Sequence, residues 1–231
     1  AAIPDGLVIS LTVILAIGMQ AILKRKALVR KLVAAETLGS VDVICTDKTW
    51  TITRGVMSVV RVVTSDEAFS LETIRTFNEE DRRAHEDVFA TLRAVVLAND
   101  GVVEEHDGER VISGDTTDIA MLEAGLDVDY TQEGLEQSFP RMAELPFTSE
   151  RMYMASLHEQ AGGENVLYGK GAPEALLPKC THYRKNGRRL KLSDAMRSEL
   201  REKADEMAAT WLRVLVAVER SLSRDAFGDE D

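Results

Sequence analysis

Residues 41–53 read Val41-Asp42-Val43-Ile44-Cys45-Thr46-Asp47-Lys48-Thr49-Trp50-Thr51-Ile52-Thr53. The run 41–45 is short, apolar and β-branched, the pattern of a buried parallel strand. Asp47 then falls at the carboxyl end of that strand, where open α/β sheets face their ligand crevice. A carboxylate is a weak nucleophile. It works when held in line with its target and when neighbouring cations neutralise phosphate charge. Lys48 supplies such a cation, and Thr49, Thr51 and Thr53 supply hydroxyls. An acidic turn after a strand has the same composition, so the loop is read together with the rest of the chain.

The chain has 231 residues, 45% of them hydrophobic, enough for one sizeable core and a smaller appendage. A net charge of -11 argues against nucleic acid as a partner. Cys45 and Cys180 are too few for a disulfide framework or a metal cluster, which fits a reducing, cytosolic setting. His85, His106, His158 and His182 are scattered and read as surface or satisfied histidines rather than ligands.

The first stretch departs from this soluble pattern. Ala1 to Leu23 is almost uncharged, and Lys24-Arg25-Lys26 follows. About twenty apolar residues span a bilayer and basic residues mark its cytoplasmic side, so a transmembrane helix is predicted over 1–26. A signal peptide carries its positive charge before the apolar run, the opposite order; a buried helix is the other reading. Within the stretch, Ile3-Pro4-Asp5-Gly6-Leu7 interrupts helical hydrogen bonding. Asp5 reads either as a functional acid in a membrane or as a helix cap.

Further along, 27–39 reads as a helix ended by Gly39, and 56–63 as a β-rich run. The polar stretch 64–86 marks a crossing into another domain. A helix follows at 87–98 with Val88, Leu92, Val95 and Val96 on one face. Residues 115–125 read as a helix capped by Asp115 and stopped by Gly125. Strands alternate at 141–147, 151–157 and 164–169, and Asn186-Gly187 signals a hairpin. An amphipathic helix spans 193–211 and a strand 212–218.

Taken together, these stretches resemble a P-type ATPase. The Asp47 loop is similar to the family's D-K-T-G-T-[LI]-T phosphorylation loop, with Trp50 in place of glycine. Ser113-Gly114-Asp115-Thr116-Thr117-Asp118 resembles a Gly-Asp-Pro-Thr-Glu helix whose acid points toward adenine. Leu145-Pro146-Phe147-Thr148-Ser149-Glu150-Arg151-Met152 resembles Pro-Phe-x-Ser-x-Arg-Lys, whose phenylalanine stacks on adenine, with Met152 for lysine. Lys170-Gly171-Ala172-Pro173-Glu174 is an intact Lys-Gly-Ala-Pro-Glu. Trp211-Leu212-Arg213-Val214-Leu215 resembles Gly-Leu-Arg-Val-Leu. The segment at Asp5 is similar to the family's Pro-Glu-Gly-Leu-Pro.

The resemblance implies an α/β chain. A nucleotide-binding domain of antiparallel sheet and helices (64–220) would be inserted in a partial haloacid-dehalogenase-like, Rossmannoid phosphorylation domain (27–63), preceded by the transmembrane helix (1–26) and followed by a returning tail (221–231). It implies ATP-driven cation transport, of calcium or a related ion, through an aspartyl phosphate. Asp47, Lys48 and Thr49 would be catalytic, with Mg2+ held by Asp47 and the Thr49 carbonyl. ATP would be bound by Asp118, Phe147, Arg151, Lys170, Gly171 and Arg213, and the transported cation by Asp5. Residues 24–231 would be cytoplasmic in a multi-pass membrane protein. The later Thr-Gly-Asp-Gly-x-Asn-Asp segment, the actuator domain and the other membrane helices have no match, so the chain is expected to be a fragment that works with the remaining domains of a pump. Trp50, Met152 and Trp211 keep open a catalytically impaired nucleotide-binding remnant. A soluble phosphatase of the same superfamily is opposed by Thr49, which stands where those enzymes carry a second acid.

Overall fold

The computed structural model describes residues 5–28, 30–31, 37, 39–47, 51–106, 109–160 and 164–222. The chain divides into two compact units, 1–54 and 55–231.

In the first unit, helix α1 spans Asp5–Lys24. Its large apolar side chains Ile9, Ile14, Ile17 and Leu23 are exposed. Among the described residues, no helix is long and apolar enough to cross a membrane, and the span expected over 1–26 is not shown. The parallel strand expected at 41–45 is also absent. Those residues are irregular, with Val43 and Ile44 exposed. A strand needs a hydrogen-bonded neighbour, and no described residue of this unit forms one. Asp47 is described and exposed, whereas Lys48, Thr49 and Trp50 lie outside the described residues. Most of the helix expected at 27–39 does too.

The second unit runs β1 (Arg61–Val63), β2 (Ala68–Ser70), α2 (Leu71–Ile74), α3 (Glu79–Ala84), α4 (Glu86–Leu97), β3 (Val102–His106), β4 (Glu109–Ser113), α5 (Thr116–Leu126) and α6 (Gln132–Ser138). It continues with β5 (Arg141–Leu145), β6 (Tyr153–Glu159), β7 (Asn165–Gly171), α7 (Pro173–Leu176), a 3-10 turn (Leu177–Lys179), β8 (His182–Lys185), β9 (Arg188–Lys191), α8 (Asp194–Ala209) and β10 (Val216–Leu222). The alternating stretches of the sequence form an antiparallel four-stranded sheet in the order β10-β7-β6-β5. Its edge strand β5 alternates in exposure, while the central β6 and β7 are covered on both faces. Three hairpins surround it, β1-β2, β3-β4 and β8-β9, the last turning through Asn186 and Gly187 at φ 50° and 70°.

Helix α4 divides the core. Val88, Phe89 and Leu92 pack with Val62, Leu71, Ile74 and Val128. Ala94, Val96 and Leu97 pack with Leu122, Leu135 and the β7 side chains Val166 and Tyr168. Burial of each Val or Leu contributes on the order of 1.5–3 kcal/mol. On the same side of the sheet, fully buried His158 is held through Nδ1 by the Phe139 carbonyl at 2.8 Å and through Nε2 by the Ser156 hydroxyl at 2.8 Å. Over the opposite face lies a cavity of about 1270 Å³, bordered by Leu157, Leu167, Leu176, Leu200 and Met207. Gly125 does not stop α5, which runs on to Leu126. A Cβ at Gly125 would lie 2.4 Å from the Val96 side chain, so this glycine lets α5 approach α4.

Candidate functional site

The antiparallel order brings the end of β5, the start of β6, the end of β7 and the start of β10 to one end of the sheet. There Tyr153 pairs with Gly171, Met154 with Lys170, and Val216 with Gly171. A Cβ on Gly171 would lie 2.3 Å from the Tyr153 Cβ and 2.6 Å from the Met152 carbonyl. Only glycine permits this approach.

Lys170 donates to Asp118 Oδ1 at 2.5 Å, with side chains only 6% and 14% exposed. Burial pushes the Lys170 ammonium below its ordinary pKa; the hydrogen bond and charge of Asp118 oppose this, as does the charge of Asp100, while Arg141 adds to the lowering. Asp118 sits in the first turn of α5, which Asp115 caps by accepting from the Thr117 amide at 2.8 Å. That hydrogen bond is the main cause of a lowered Asp115 pKa, with Arg213 and Lys170 contributing charge. Arg213, just before β10, donates to the Thr117 hydroxyl at 3.0 Å. One helical turn thus touches two cations, one from β7 and one from the segment leading into β10.

A second layer holds the turn. Asn99, fully buried after α4, donates to the Asp118 carbonyl at 3.1 Å and accepts from the Gly101 amide at 2.8 Å. Arg141 donates to the Leu97 and Asn99 carbonyls at 2.8 and 2.5 Å. On the loop joining β5 to β6, Phe147 is 55% exposed. Arg151 donates to the Pro146 carbonyl at 2.7 Å and stands 5.8 Å from the Tyr153 ring centroid, with Lys179 5.7 Å from the same ring. The cavity under the sheet reaches this end at Thr117, Tyr153 and Arg213.

The structure therefore joins Asp118, Lys170 and Arg213 through one turn, and places Phe147, Arg151 and Gly171 at the same end of the sheet. Sequence reading missed Thr117, Asn99 and Tyr153. Thr117 stood inside the quoted Asp115–Asp118 motif, and Asn99-Asp100-Gly101 carried a turn signal; Tyr153 had none. Met152 and Trp211, which flank this end of the sheet, adopt left-handed backbone without being glycine, at φ 59° and φ 66°. Lysine and guanidinium groups at the same end of the sheet as an exposed aromatic ring suit a ligand that joins a planar base to phosphates. Among the described residues no group of three or more His, Cys, Asp or Glu is placed to hold a metal.

A family model described as "P-type ATPase, cytoplasmic domain N" matches residues 87–231, more than half of the chain. The chain is similar to Calcium-transporting ATPase 1 of Bacillus cereus, at 37% identity over 217 residues, covering 93% of this chain and 23% of the relative. It is 33% identical to Cation-transporting ATPase pma1 of Synechocystis sp., covering 96% of this chain and 26% of the relative. It is 34% identical to Calcium-transporting ATPase type 2C member 1 of Pongo abelii, covering 93% of this chain and 24% of the relative. The chain thus spans about a quarter of the length of these relatives.

Proposed function

Because this chain belongs to the P-type ATPase family, carrying its cytoplasmic domain N, we propose that the unit built on the four-stranded sheet binds ATP within a cation pump. The observation that carries this reading is the convergence of Lys170, Arg213 and Arg151 with the exposed Phe147 ring at one end of the sheet. In it, Phe147 offers a stacking face for adenine. Gly171 leaves room for close backbone approach, and the cations meet the phosphates while Asp118 borders the base. The nucleotide-binding domain is assigned to 64–220, on the cytoplasmic side, with 27–63 as the first part of a phosphorylation domain.

In the whole pump we assign Asp47 as the nucleophile. Its carboxylate oxygen forms a bond to the γ-phosphorus of ATP as the bond from that phosphorus to the β–γ bridging oxygen breaks, giving an acyl phosphate and ADP. Lys48 and Thr49 neighbour the reacting phosphate. Magnesium would take oxygens from Asp47 and the Thr49 carbonyl, supplying further neutralisation of phosphate charge. The transported ion is calcium or a related cation, supported by the names of the relatives, and Asp5 is the carboxylate we assign to it. The rest of the pump would supply the remaining domains.

Titrating the chain with ATP while following backbone amide shifts tests the pocket. Perturbations are expected at Phe147, Lys170 and the first turn of α5, and Phe147→Ala and Lys170→Gln should each weaken binding by about tenfold. Perturbations confined elsewhere would remove the assignment. A second reading, nucleotide binding with impaired phosphoryl transfer, is favoured by Trp211, which holds a left-handed backbone conformation where the family pattern has glycine. Labelling of the full-length pump from ATP, lost on Asp47→Asn, separates the two readings.

A further inference from the structure

A second pocket lies at the other end of α5, away from the Asp115 cap. Its volume is about 380 Å³, near the lower end of ligand-binding cavities. Helical spacing builds it. Arg82 and Arg83 come from α3, while Glu86, Phe89 and Arg93 share one face of α4 at intervals of three and four residues. Tyr130, just beyond α5, lines it too. The 11 residues of α5 put about 16 Å of helix between this pocket and the turn that meets Lys170 and Arg213.

The pocket gathers three guanidiniums on a chain whose net charge is -11. Arg82 is committed, to Asp129 at 3.0 Å and to the Val128 carbonyl at 3.0 Å. Arg83 and Arg93 are not: among the described residues no carboxylate stands at ion-pair distance from either. Arg83 is exposed. Arg93 is half-buried over the Phe139 ring at 5.5 Å, and its Nε is buried without a hydrogen-bond partner. A half-buried guanidinium without a counter-charge has given up water that the protein does not replace.

The acids at the pocket do not fill that role. Glu86 turns its Oε1 to Arg184 at 2.5 Å, which leaves exposed Glu79 as the remaining acid. Burial pushes the Tyr130 hydroxyl above its ordinary pKa, with Arg82 and Arg93 acting against Glu79 and Glu86. At neutral pH the phenol therefore stays uncharged and does not repel an anion.

We propose that this pocket binds a small oxyanion, of phosphate or carboxylate type, held by Arg83 and Arg93 with Tyr130 on its wall. The planar guanidinium fork matches two oxygens of either group. The site is separate from the nucleotide pocket and does not rest on it.

The test follows the backbone amides of the 231-residue chain by NMR at constant ionic strength, with inorganic phosphate added in one arm and succinate in the other. Saturable shifts are expected in α3, in the first turns of α4 and at Tyr130, and the arm with the lower dissociation constant identifies the oxyanion. R93Q should weaken binding about tenfold, as loss of a hydrogen bond to a charged group does. R83Q should weaken it about threefold, because its guanidinium is exposed. E79Q should instead tighten binding about twofold to threefold by removing the remaining acid. Glu79 is exposed, so this variant tests the site even where R93Q fails to fold. Shifts confined to Lys170 and the first turn of α5, shifts that saturate in neither arm, or binding indifferent to both E79Q and R83Q would overturn the proposal. ATP affinity should be equal in R83Q and the unmodified chain; a parallel loss would merge the pocket with the nucleotide site and overturn the proposal as well.

Discussion

Gly171 and Trp211 are opposite cases of one residue-level rule. At Gly171 a side chain has no room, since a Cβ would lie within 2.3 Å of Tyr153 and 2.6 Å of the Met152 carbonyl. Gly171→Ala should therefore force β7 away from β6 and cost about 1–3 kcal/mol, read from chemical denaturation. At Trp211 the side chain has no partner: the indole is 97% exposed and its backbone sits at φ 66°, just past the end of α8. The Trp211 amide still bonds the Ala208 carbonyl at 2.9 Å, the terminating contact of a left-handed cap. A non-glycine residue costs about 1–2 kcal/mol there, and glycine's extra freedom in the unfolded chain offsets about 0.5–1 kcal/mol of the relief. Trp211→Gly should raise the unfolding free energy by about 0.5–1 kcal/mol, and an unchanged or lower value would show that the indole makes a contact in solution.

Among elements, α5 and α4 control the site. The first turn of α5 depends on the Asp115 cap, and Asp115→Ala should cost about 1 kcal/mol of stability while also weakening ATP binding, since Thr117 and Asp118 both hang on that turn. Equal ATP affinity in this variant would mean that the turn holds without its cap. Helix α4 is the wall between two core clusters, so Leu92→Ala, at a position 1% exposed, should cost about 2–5 kcal/mol measured in the same way. These elements were legible to different degrees. The strands of the sheet and the Asn186-Gly187 hairpin follow from alternation and turn chemistry, which are local. Asp115 announced a cap because a side-chain oxygen can reach an amide two residues on. Gly125 misled because tertiary packing against Val96, not chain termination, selects it. The run 41–45 misled because an apolar β-branched pattern is necessary for a buried strand, but only a neighbouring strand makes one.

For the whole molecule, pH is a probe of the core. Burial is the main cause that pushes His158 below the ordinary histidine value of 6.5. Above that value neither the folded nor the unfolded chain carries the proton, and the residue imposes no penalty. As pH falls through 6.5 the unfolded chain binds the proton first, so stability should fall until the folded pKa is passed. Thermal unfolding from neutral pH down to about pH 5 should show this decline, and His158→Gln should flatten its upper part; a slope unchanged by that substitution would assign it to carboxylates such as Asp115 instead. The pairing of Asp118 with Lys170 was not legible, although both residues were singled out, because no local pattern states that positions 52 apart will meet. The Arg184 guanidinium, which binds Glu86, Asp87 and Glu219, was missed for the same reason.

The cations at the strand ends come from segments far apart along the chain, Arg213 lying 96 positions from the Thr117 that it contacts and Lys170 lying 52 positions from Asp118. Contacts of such long range form late, because loop closure must precede them. Affinity for nucleotide is then an order parameter for completed folding: a chain with its hairpins and helices formed but β10 undocked has Phe147 and Lys170 without Arg213. Retention on immobilised ATP should accordingly enrich molecules that have docked their last strand, and slow-exchanging amides of β10 should appear only in the retained fraction.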